Sequence, residues 1–355
     1  MISFSSRGPL SAALLQALAG APTTGHPGDD DSPAITSLVS LASAARATAR
    51  PAAEVLADDD LQLTLYLAYE LHYGGLPGVD DGWEWEPALI TARRDLEAVL
   101  ERALRERHEP VLTTPSALPR TLFSMAAADS GPSLAGYVAR HATVEQVAEV
   151  LVLRSPYQLK EGDPQTFAIP RLSGRSKAAL VEIQGDEYGG GHVDRMHATL
   201  FRNSMRALGL DDTPNGYLDL VPAVVLASHN ALSLFALNRR LRGALCGHLA
   251  VFEMTSSLPA KRWVSGMQRL GLPTQASEFF DEHIEADAVH EQIAAHDLCG
   301  ALVRDEPALL DDVLLGASTC LTMDALVSEH VLSSWERGSS ALRAALPAQR
   351  ELASA

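Results

Sequence analysis

From residue 143 to residue 345 the sequence is a series of helix-length segments joined by short turns, and this constrains the fold more than any other feature. Apolar residues recur at the three- and four-residue spacing of an α-helix, and no alternating pattern typical of β-strands stands out. Aromatic residues make up only 5 %, while Ala and Leu are abundant, which favours helices over a β-sandwich or barrel. The sequence therefore predicts an all-α protein. The expected helices are residues 60–73, 87–108, 143–160, 176–208, 221–256, 259–270, 276–304, 306–316 and 318–345.

The positions of Gly- and Pro-rich stretches and of helical patterns predict that the chain has three parts. Residues 1–35 are expected to be weakly ordered, because residues 20–33 are rich in Gly, Pro, Thr and Asp. Residues 36–135 are expected to form an N-terminal helical extension. Residues 136–350 carry the densest helical pattern and are expected to form the main multi-helix bundle.

Charge and cysteine content exclude several classes of function. The formal net charge of −17 disfavours binding to nucleic acid or to an anionic membrane surface. No apolar run is long enough to predict a transmembrane helix. Cys246, Cys299 and Cys320 are far apart, so neither a structural zinc site nor an iron–sulfur cluster is expected. An odd number of cysteines and a start without signal-peptide character predict a cytoplasmic protein.

The strongest local signal for chemistry is a histidine–aspartate–histidine stripe. His283, Asp287 and His290 stand at positions i, i+4 and i+7, which an α-helix places within about 60° of one another. Two imidazoles and a carboxylate on one face are ligands that iron or manganese accepts. The alternative is an exposed polar stripe on a charged helix.

A second signal is a glutamate and a histidine on either side of three glycines. Glu187 and His197 are ten residues apart, about 80° on an ideal helix, so they share a metal only if the helix bends or widens locally. Glycines 189–191 permit such a bend, although they could equally form a loop between two helices. Glu182 and His192 are also ten apart and form a competing pair, but His197 leads into an apolar helical segment and is preferred.

Other polar residues stand at helix ends or on apolar helices. Glu161, in the stretch LKEGDP, would alone be taken for a surface carboxylate at a helix end. Glu70, His72 and Glu253 interrupt apolar helices, where a hydrogen-bonded core residue is more common than a metal ligand. The spacing alone assigns none of them a role.

In combination these motifs resemble the haem-oxygenase-like diiron oxidases. LKEGDP, then DEYGGG with a histidine after five further residues, then H-x3-D-x2-H follow the order of that family over roughly residues 140–345. The resemblance implies the haem oxygenase helical fold with two iron ions in place of haem. It implies six metal ligands: Glu161, Glu187, His197, His283, Asp287 and His290.

The resemblance also implies a reaction class. A diiron member uses O2 as co-substrate, cycles between Fe2+ and Fe3+, and oxidises a small molecule. N-oxygenation of a small amine or amino-acid-derived substrate in specialised metabolism is the preferred expectation. Oxidative decarboxylation, desaturation or C–C fragmentation of an amino or fatty acid is the enzymatic alternative. A haem-dependent or cofactorless enzyme of this fold and a non-catalytic helical protein that binds a metabolite or partner are further alternatives. An external electron donor and a homodimer are possible partners.

Overall fold

The protein is helical throughout the residues described by its computed structural model, 4–22 and 32–346, with 285–288 described by their backbone alone. These residues contain no strand, so the prediction of an all-α fold is confirmed. No helix among them is long and apolar enough to cross a bilayer.

The α-helices up to residue 107 are α1 (Pro9–Leu18), α2 (Pro33–Ala47), α3 (Ala52–Leu56), α4 (Asp59–Glu70) and α5 (Pro87–Arg107). Those up to residue 237 are α6 (Leu118–Ala127), α7 (Leu134–Arg140), α8 (Val144–Gln158), α9 (Asp163–Thr166), α10 (Gly174–Glu187), α11 (His197–Ala207) and α12 (Ala223–Leu237). The last are α13 (Arg242–Met254), α14 (Ser257–Arg269), α15 (Glu278–Gln292), α16 (Gly300–Asp305) and α17 (Leu310–Glu336). A π-helical segment, Ile293–Cys299, joins α15 to α16. Short 3-10 turns lie at Asp81–Trp85, Ile169–Arg171, Gly189–Gly191, Val193–Arg195, Leu218–Leu220, Arg239–Leu241, Thr274–Ala276 and Pro307–Leu309.

The first of two compact units comprises the described residues of Met1–Arg107 together with Pro222–Leu234. Within it α2 and α3 pack on α5, and α1 packs on α2 and α4. Asn230, in α12, donates hydrogen bonds of 2.8 Å to both the backbone and the side-chain carbonyl oxygen of Gln62. Both residues are fully buried, so these bonds help to hold the first part of α12 in this unit.

Helix α1 forms inside the segment 1–35 for which the sequence predicts weak order. Leu14 and Leu18 are buried on its inner face. The Asp60 carboxylate accepts hydrogen bonds from the backbone N–H of Ser11 at 2.8 Å and from its hydroxyl at 2.6 Å. A carboxylate at a helix N-terminus satisfies N–H groups that the helix itself cannot pair. This partner is about fifty residues away, so local composition does not reveal it. Residues 1–3 and 23–31 lie outside the described residues.

The second unit comprises His108–Val221 and the described part of Phe235–Ala355. It begins earlier than the expected main bundle of residues 136–350. The difference arises from α6, which packs on α13, α17 and the π-helical segment. Leu118 and Leu122 are completely buried in that contact. Residues 108–117, which join α5 to α6, therefore belong to the second unit.

Helices α13 and α17 form the closest helix pair of the second unit. A Cβ added at Gly247 would lie 1.9 Å from the carbonyl oxygen of Val313, and one at Gly316 would lie 1.8 Å from that of Ala244. Only glycine permits this approach. The sequence predicts separate helices on either side of residue 317, but α17 runs through it because Gly316 serves this contact and does not end the helix.

Helix α8 is buried along most of its length and carries the first of the site residues beyond its C-terminus. As the sequence predicts, Thr143 caps it. The Thr143 hydroxyl accepts from the N–H of Gln146, whose side chain accepts from the N–H of Thr143.

Candidate metal centre

Six buried side chains of the second unit converge on two groups of candidate metal ligands. They come from the turn after α8, the end of α10, the start of α11, the C-terminal end of α13 and one face of α15. Each is less than 8 % exposed. Buried carboxylates and imidazoles in such number require compensation by partners or by a cation. The six are Glu161, Glu187, His197, Glu253, His283 and His290.

The first group consists of Glu161, His197 and His283, whose candidate ligand atoms all lie within 4.8 Å of one another. His283 Nε2 is 3.8 Å from Glu161 Oε1. The rings of His197 and His283 lie with centroids 4.4 Å apart. Phe279 packs against the His283 ring, with centroids 4.4 Å apart, and closes this side of the group with an apolar wall.

The second group consists of Glu187, Glu253 and His290, again with ligand atoms within 4.8 Å of one another. His290 Nδ1 is 3.4 Å from Glu253 Oε2. Glu187 also reaches the first group, because its Oε2 lies 3.1 Å from Nδ1 of His197. The two groups are therefore neighbours, and Glu187 stands between them.

Hydrogen bonds set the tautomers of two of the imidazoles. His283 Nδ1 donates to the carbonyl oxygen of Phe279 at 2.6 Å, which leaves the lone pair on Nε2. His290 Nε2 donates to Oδ2 of Asp186 at 2.9 Å, which leaves the lone pair of the neutral ring on Nδ1. In both rings the lone pair faces the carboxylates of its group. A second ring nitrogen held by a carboxylate or carbonyl is the usual arrangement around metal-binding histidines.

Several buried atoms of the two groups have no hydrogen-bond partner. They are Glu161 Oε2, Glu187 Oε2, His197 Nδ1 and His290 Nδ1. Although Glu187 and His197 approach closely, their orientation does not form a good hydrogen bond. An unsatisfied buried polar group costs about 1–3 kcal/mol. A cation bound in each group would satisfy these atoms, and mixed nitrogen and oxygen donors suit a divalent transition metal such as iron.

The carboxylates of the two groups have opposite pKa shifts. Burial raises the pKa of Glu161 well above its ordinary value, and the negative charge of Glu187 raises it further. Burial also acts to raise the pKa of Glu187, but the adjacent His197 outweighs it, so that pKa falls below its ordinary value. Glu187 is therefore the ionised carboxylate that faces both groups.

The pKa values of the imidazoles depend on burial and on the charged groups that face them. Burial acts to lower the pKa of His197, but Glu187 raises it to about 9. Burial acts in the same way on His290, while its contact with Glu253 raises the pKa to about 9. For His283, burial and the nearby His197 lower the pKa to about 4. Without a metal, protons on two imidazoles thus provide part of the positive charge that the carboxylates attract.

A glycine loop brings Glu187 and His197 together. Helix α10 ends at Glu187 and α11 begins at His197, with two 3-10 turns between them. Gly189 has φ +63°, and a Cβ there would lie 2.6 Å from the carbonyl carbon of Arg195. The three glycines thus lie in a loop between two helices, which was the alternative in the sequence analysis, and they do not bend one continuous helix. Glu187 and His197 meet although they are ten residues apart, because the loop returns the chain to the same site.

The segment after Glu161 is held against α10 by hydrogen bonds. Gln184 Nε2 donates to the carbonyl oxygen of Gly162 at 2.6 Å, and the Tyr188 hydroxyl donates to Asp163 at 2.8 Å. Gly162 has φ +89°, which allows the chain to turn tightly beside the side chain of Glu187. These contacts place the carboxylate of Glu161 beside the first group.

The sequence model of the iron-containing redox enzymes, a haem-oxygenase-like family, matches residues 148–325. This range covers half of the chain and contains both groups of candidate ligands. The chain belongs to this family. No curated protein shows significant similarity to the chain. Membership confirms the resemblance stated from the sequence, the haem-oxygenase-like helical fold and an iron-dependent redox enzyme.

In this iron-containing redox enzyme, most of the ligands predicted from the sequence lie in the two groups. Asp287 lies in α15 between His283 and His290, and its side chain is outside the described residues, so its role stays a prediction. Glu182 and His192 are both exposed and belong to neither group. The geometry favours Glu187 and His197 over this alternative pair.

The structure adds Glu253, which the sequence analysis noted without assigning a role. It is 3 % exposed in the last turn of the apolar helix α13. The signal was a carboxylate in an apolar helix, with no partner at helical spacing to distinguish it from a core residue. Glu70 and His72 lie in the first unit, where His72 Nδ1 contacts Glu84 at 3.3 Å and Nε2 contacts Arg93.

Proposed function

We propose that the enzyme binds two iron ions, one in each group, and uses them to reduce O2 while oxidising a small organic substrate. The supporting observation is the pair of adjacent, buried three-residue groups with unsatisfied donor atoms. The first iron would be held by Glu161, His197 and His283. The second would be held by Glu187, Glu253 and His290. Asp287 remains a candidate seventh ligand on α15.

The preferred reaction is N-oxygenation of a small amine or amino-acid-derived substrate. Bound Fe(II) supplies the electrons and the Lewis acidity that O2 reduction requires. Formation of a hydroxylamine consumes one amine, one O2, two electrons and two protons, and yields the hydroxylamine and water. An electron donor from outside the chain must therefore restore two electrons after each turnover.

The side chains around the two groups supply position and a dry environment. Phe201 and Phe279 pack edge to face, with centroids 5.1 Å apart, next to the imidazoles. Tyr157 accepts a hydrogen bond from Gln165 at 2.8 Å. Burial, followed by the charges of Glu161 and Glu187, raises the pKa of Tyr157, so its phenol keeps its proton beside both groups.

Metal content tests the two-iron assignment. The protein is loaded anaerobically with Fe(II), excess metal is removed, and iron per chain is measured. We expect about two irons in the native chain and about one after Glu253→Ala, because Glu253 is a candidate ligand of the second group and not of the first. Glu182→Ala is the matched control and should keep two irons. Retention of two tightly bound irons by Glu253→Ala with unchanged affinity would contradict the assignment.

Isotope labelling tests the reaction class. The Fe(II)-loaded enzyme, a chemical reductant and 18O2 are incubated with a panel of amines and amino acids. N-oxygenation places 18O in the organic product. An alkene without label from an acid would instead support decarboxylation or desaturation and reject N-oxygenation, leaving the two-iron assignment standing.

A further inference from the structure

Arg154 is a partly buried cation beside the first group that the proposed reaction does not use. Its guanidinium carbon lies 5.3 Å from the ring centroid of Trp263 and 5.9 Å from that of Phe280. These two rings are stacked on each other, with centroids 5.2 Å apart and an interplanar angle of 18°. The aromatic faces hold the guanidinium in place and partly compensate its burial.

Two helices place this cation next to the candidate metal ligands. Arg154 lies in the C-terminal part of α8, and Glu161 follows in the turn three residues after that helix ends. Phe280 precedes His283 by three residues on α15, so it lies one turn from that ligand. The positive charge of Arg154 lowers the pKa of both Glu161 and His283, as expected for a cation near them.

The donors of Arg154 have no acceptor within the parts of the chain that the structure describes. Among the described residues, no hydrogen bond and no ion pair within 4.0 Å involves this side chain. The side chain is half-buried, and surrounding protein lowers the pKa of Arg154 by desolvation. A half-buried guanidinium that has no acceptor among the described residues retains donors for an anion. Asp324 attracts Arg154 electrostatically from beyond ion-pair distance and is itself exposed.

We propose that Arg154 anchors the carboxylate of the substrate, so that the substrate is an amino acid or another amine that bears a carboxylate. A guanidinium presents parallel N–H donors that match a carboxylate in a two-bonded geometry. Fixing that end of the molecule beside Glu161 and His283 directs the remainder toward the metal groups. This inference rests on the proposed function, because it takes the two groups to be the reaction centre.

The test uses four probes that share one hydrocarbon chain: norleucine, norleucinamide, pentylamine and pentyl phosphate. Dissociation constants are measured by calorimetry with the anaerobic Fe(II)-loaded chain. We expect norleucine to bind at least about tenfold more tightly than its amide or pentylamine. Arg154→Gln should weaken norleucine binding at least about tenfold and leave pentylamine binding unchanged, with Arg154→Lys in between.

Two variants separate anchoring from a structural role. Arg262→Gln, on α14 and half-buried with its side chain bonded to Ser133, controls for the loss of one positive charge and should have no effect. Asp324→Asn removes the charge that competes for Arg154 and should tighten norleucine binding several-fold. If Asp324→Asn weakens binding as much as Arg154→Gln, the two residues form a structural pair and the proposal is overturned.

Each remaining outcome also tests the proposal. No measurable norleucine binding by the native chain, or equal binding by Arg154→Gln, overturns the proposal. Tighter, Arg154-dependent binding of pentyl phosphate overturns the assignment of a carboxylate. Iron content and helicity are measured in the same samples. If the native chain holds no iron, the proposed function fails, but titration of the metal-free chain still shows whether Arg154 binds the anion.

Discussion

At the scale of single residues, Asp186 links the second group to the protein surface. Its side chain is 65 % exposed, yet it accepts the hydrogen bond from Nε2 of buried His290. This bond keeps the lone pair of the ring on Nδ1, toward Glu187 and Glu253. Asp186 is therefore a positioning residue, even though sequence spacing gives no sign of it.

Replacement of Asp186 should weaken one metal site. Loss of the carboxylate that orients a metal-binding histidine typically lowers metal affinity about 10–100-fold. We expect Asp186→Ala to lower the affinity for one of two Fe(II) equivalents in an anaerobic titration. Asp186→Asn should recover part of that affinity. Glu182→Ala, exposed on the same helix, is the control. Identical titrations for Asp186→Ala and the control would remove Asp186 from the site.

Metal binding should release protons. With pKa values of about 9, His197 and His290 carry protons near neutral pH in the metal-free protein. Coordination requires neutral imidazole, so each ring must lose its proton when the metal binds. We expect at least about two protons per chain, measured as the dependence of binding heat on the ionisation enthalpy of the buffer. Binding heats that do not change from buffer to buffer would show that these rings do not ligate the metal.

At the scale of elements, the site depends on the loop between α10 and α11. Gly189→Ala places a side chain at φ +63° and 2.6 Å from the backbone of Arg195. Such strain costs about 1–3 kcal/mol, and its relief would move Glu187 away from His197. We therefore expect a lower melting temperature and weaker Fe(II) binding together.

Gly185 provides the matched comparison for that loop. It lies in α10, and a Cβ added there meets nothing within 4 Å. Gly185→Ala should be neutral or stabilise the fold by up to about 1 kcal/mol, because alanine is the better helix former. If both alanine variants bind iron normally, the conformation at Gly189 does not control the site.

Sequence patterns predicted the ligands that share a helix better than those that do not. His283 and His290 are seven residues apart, so helical geometry alone puts them on one face of α15, and both are buried there. The relation of Glu187 to His197 depends on a loop whose path the sequence left open. Glu253 is alone on α13, so only tertiary packing reveals that it meets His290.

At the scale of the whole molecule, helical periodicity was sufficient to predict the all-α class, but not the limits of the units. Helix α1 owes its N-terminal cap to Asp60, and α6 owes its place to packing on α13 and α17. Both contacts join residues far apart in sequence, so the composition near residue 20 or residue 136 does not predict them. Local patterns specify elements, whereas long-range contacts decide which elements form a unit.

Iron should stabilise the chain unevenly. All six residues of the two groups lie in the second unit, and four of their buried atoms have no hydrogen-bond partner among the described residues. A ligand that binds only the folded site protects the segments that it holds together. In hydrogen exchange under anaerobic conditions, Fe(II) should slow exchange most in peptides covering residues 185–198 and 279–292. Peptides from α2 to α5 should not change, because no group residue lies there, and Glu253→Ala should reduce the protection. Equal exchange with and without bound iron at residues 185–198 would show that the metal does not order the Glu187–His197 loop.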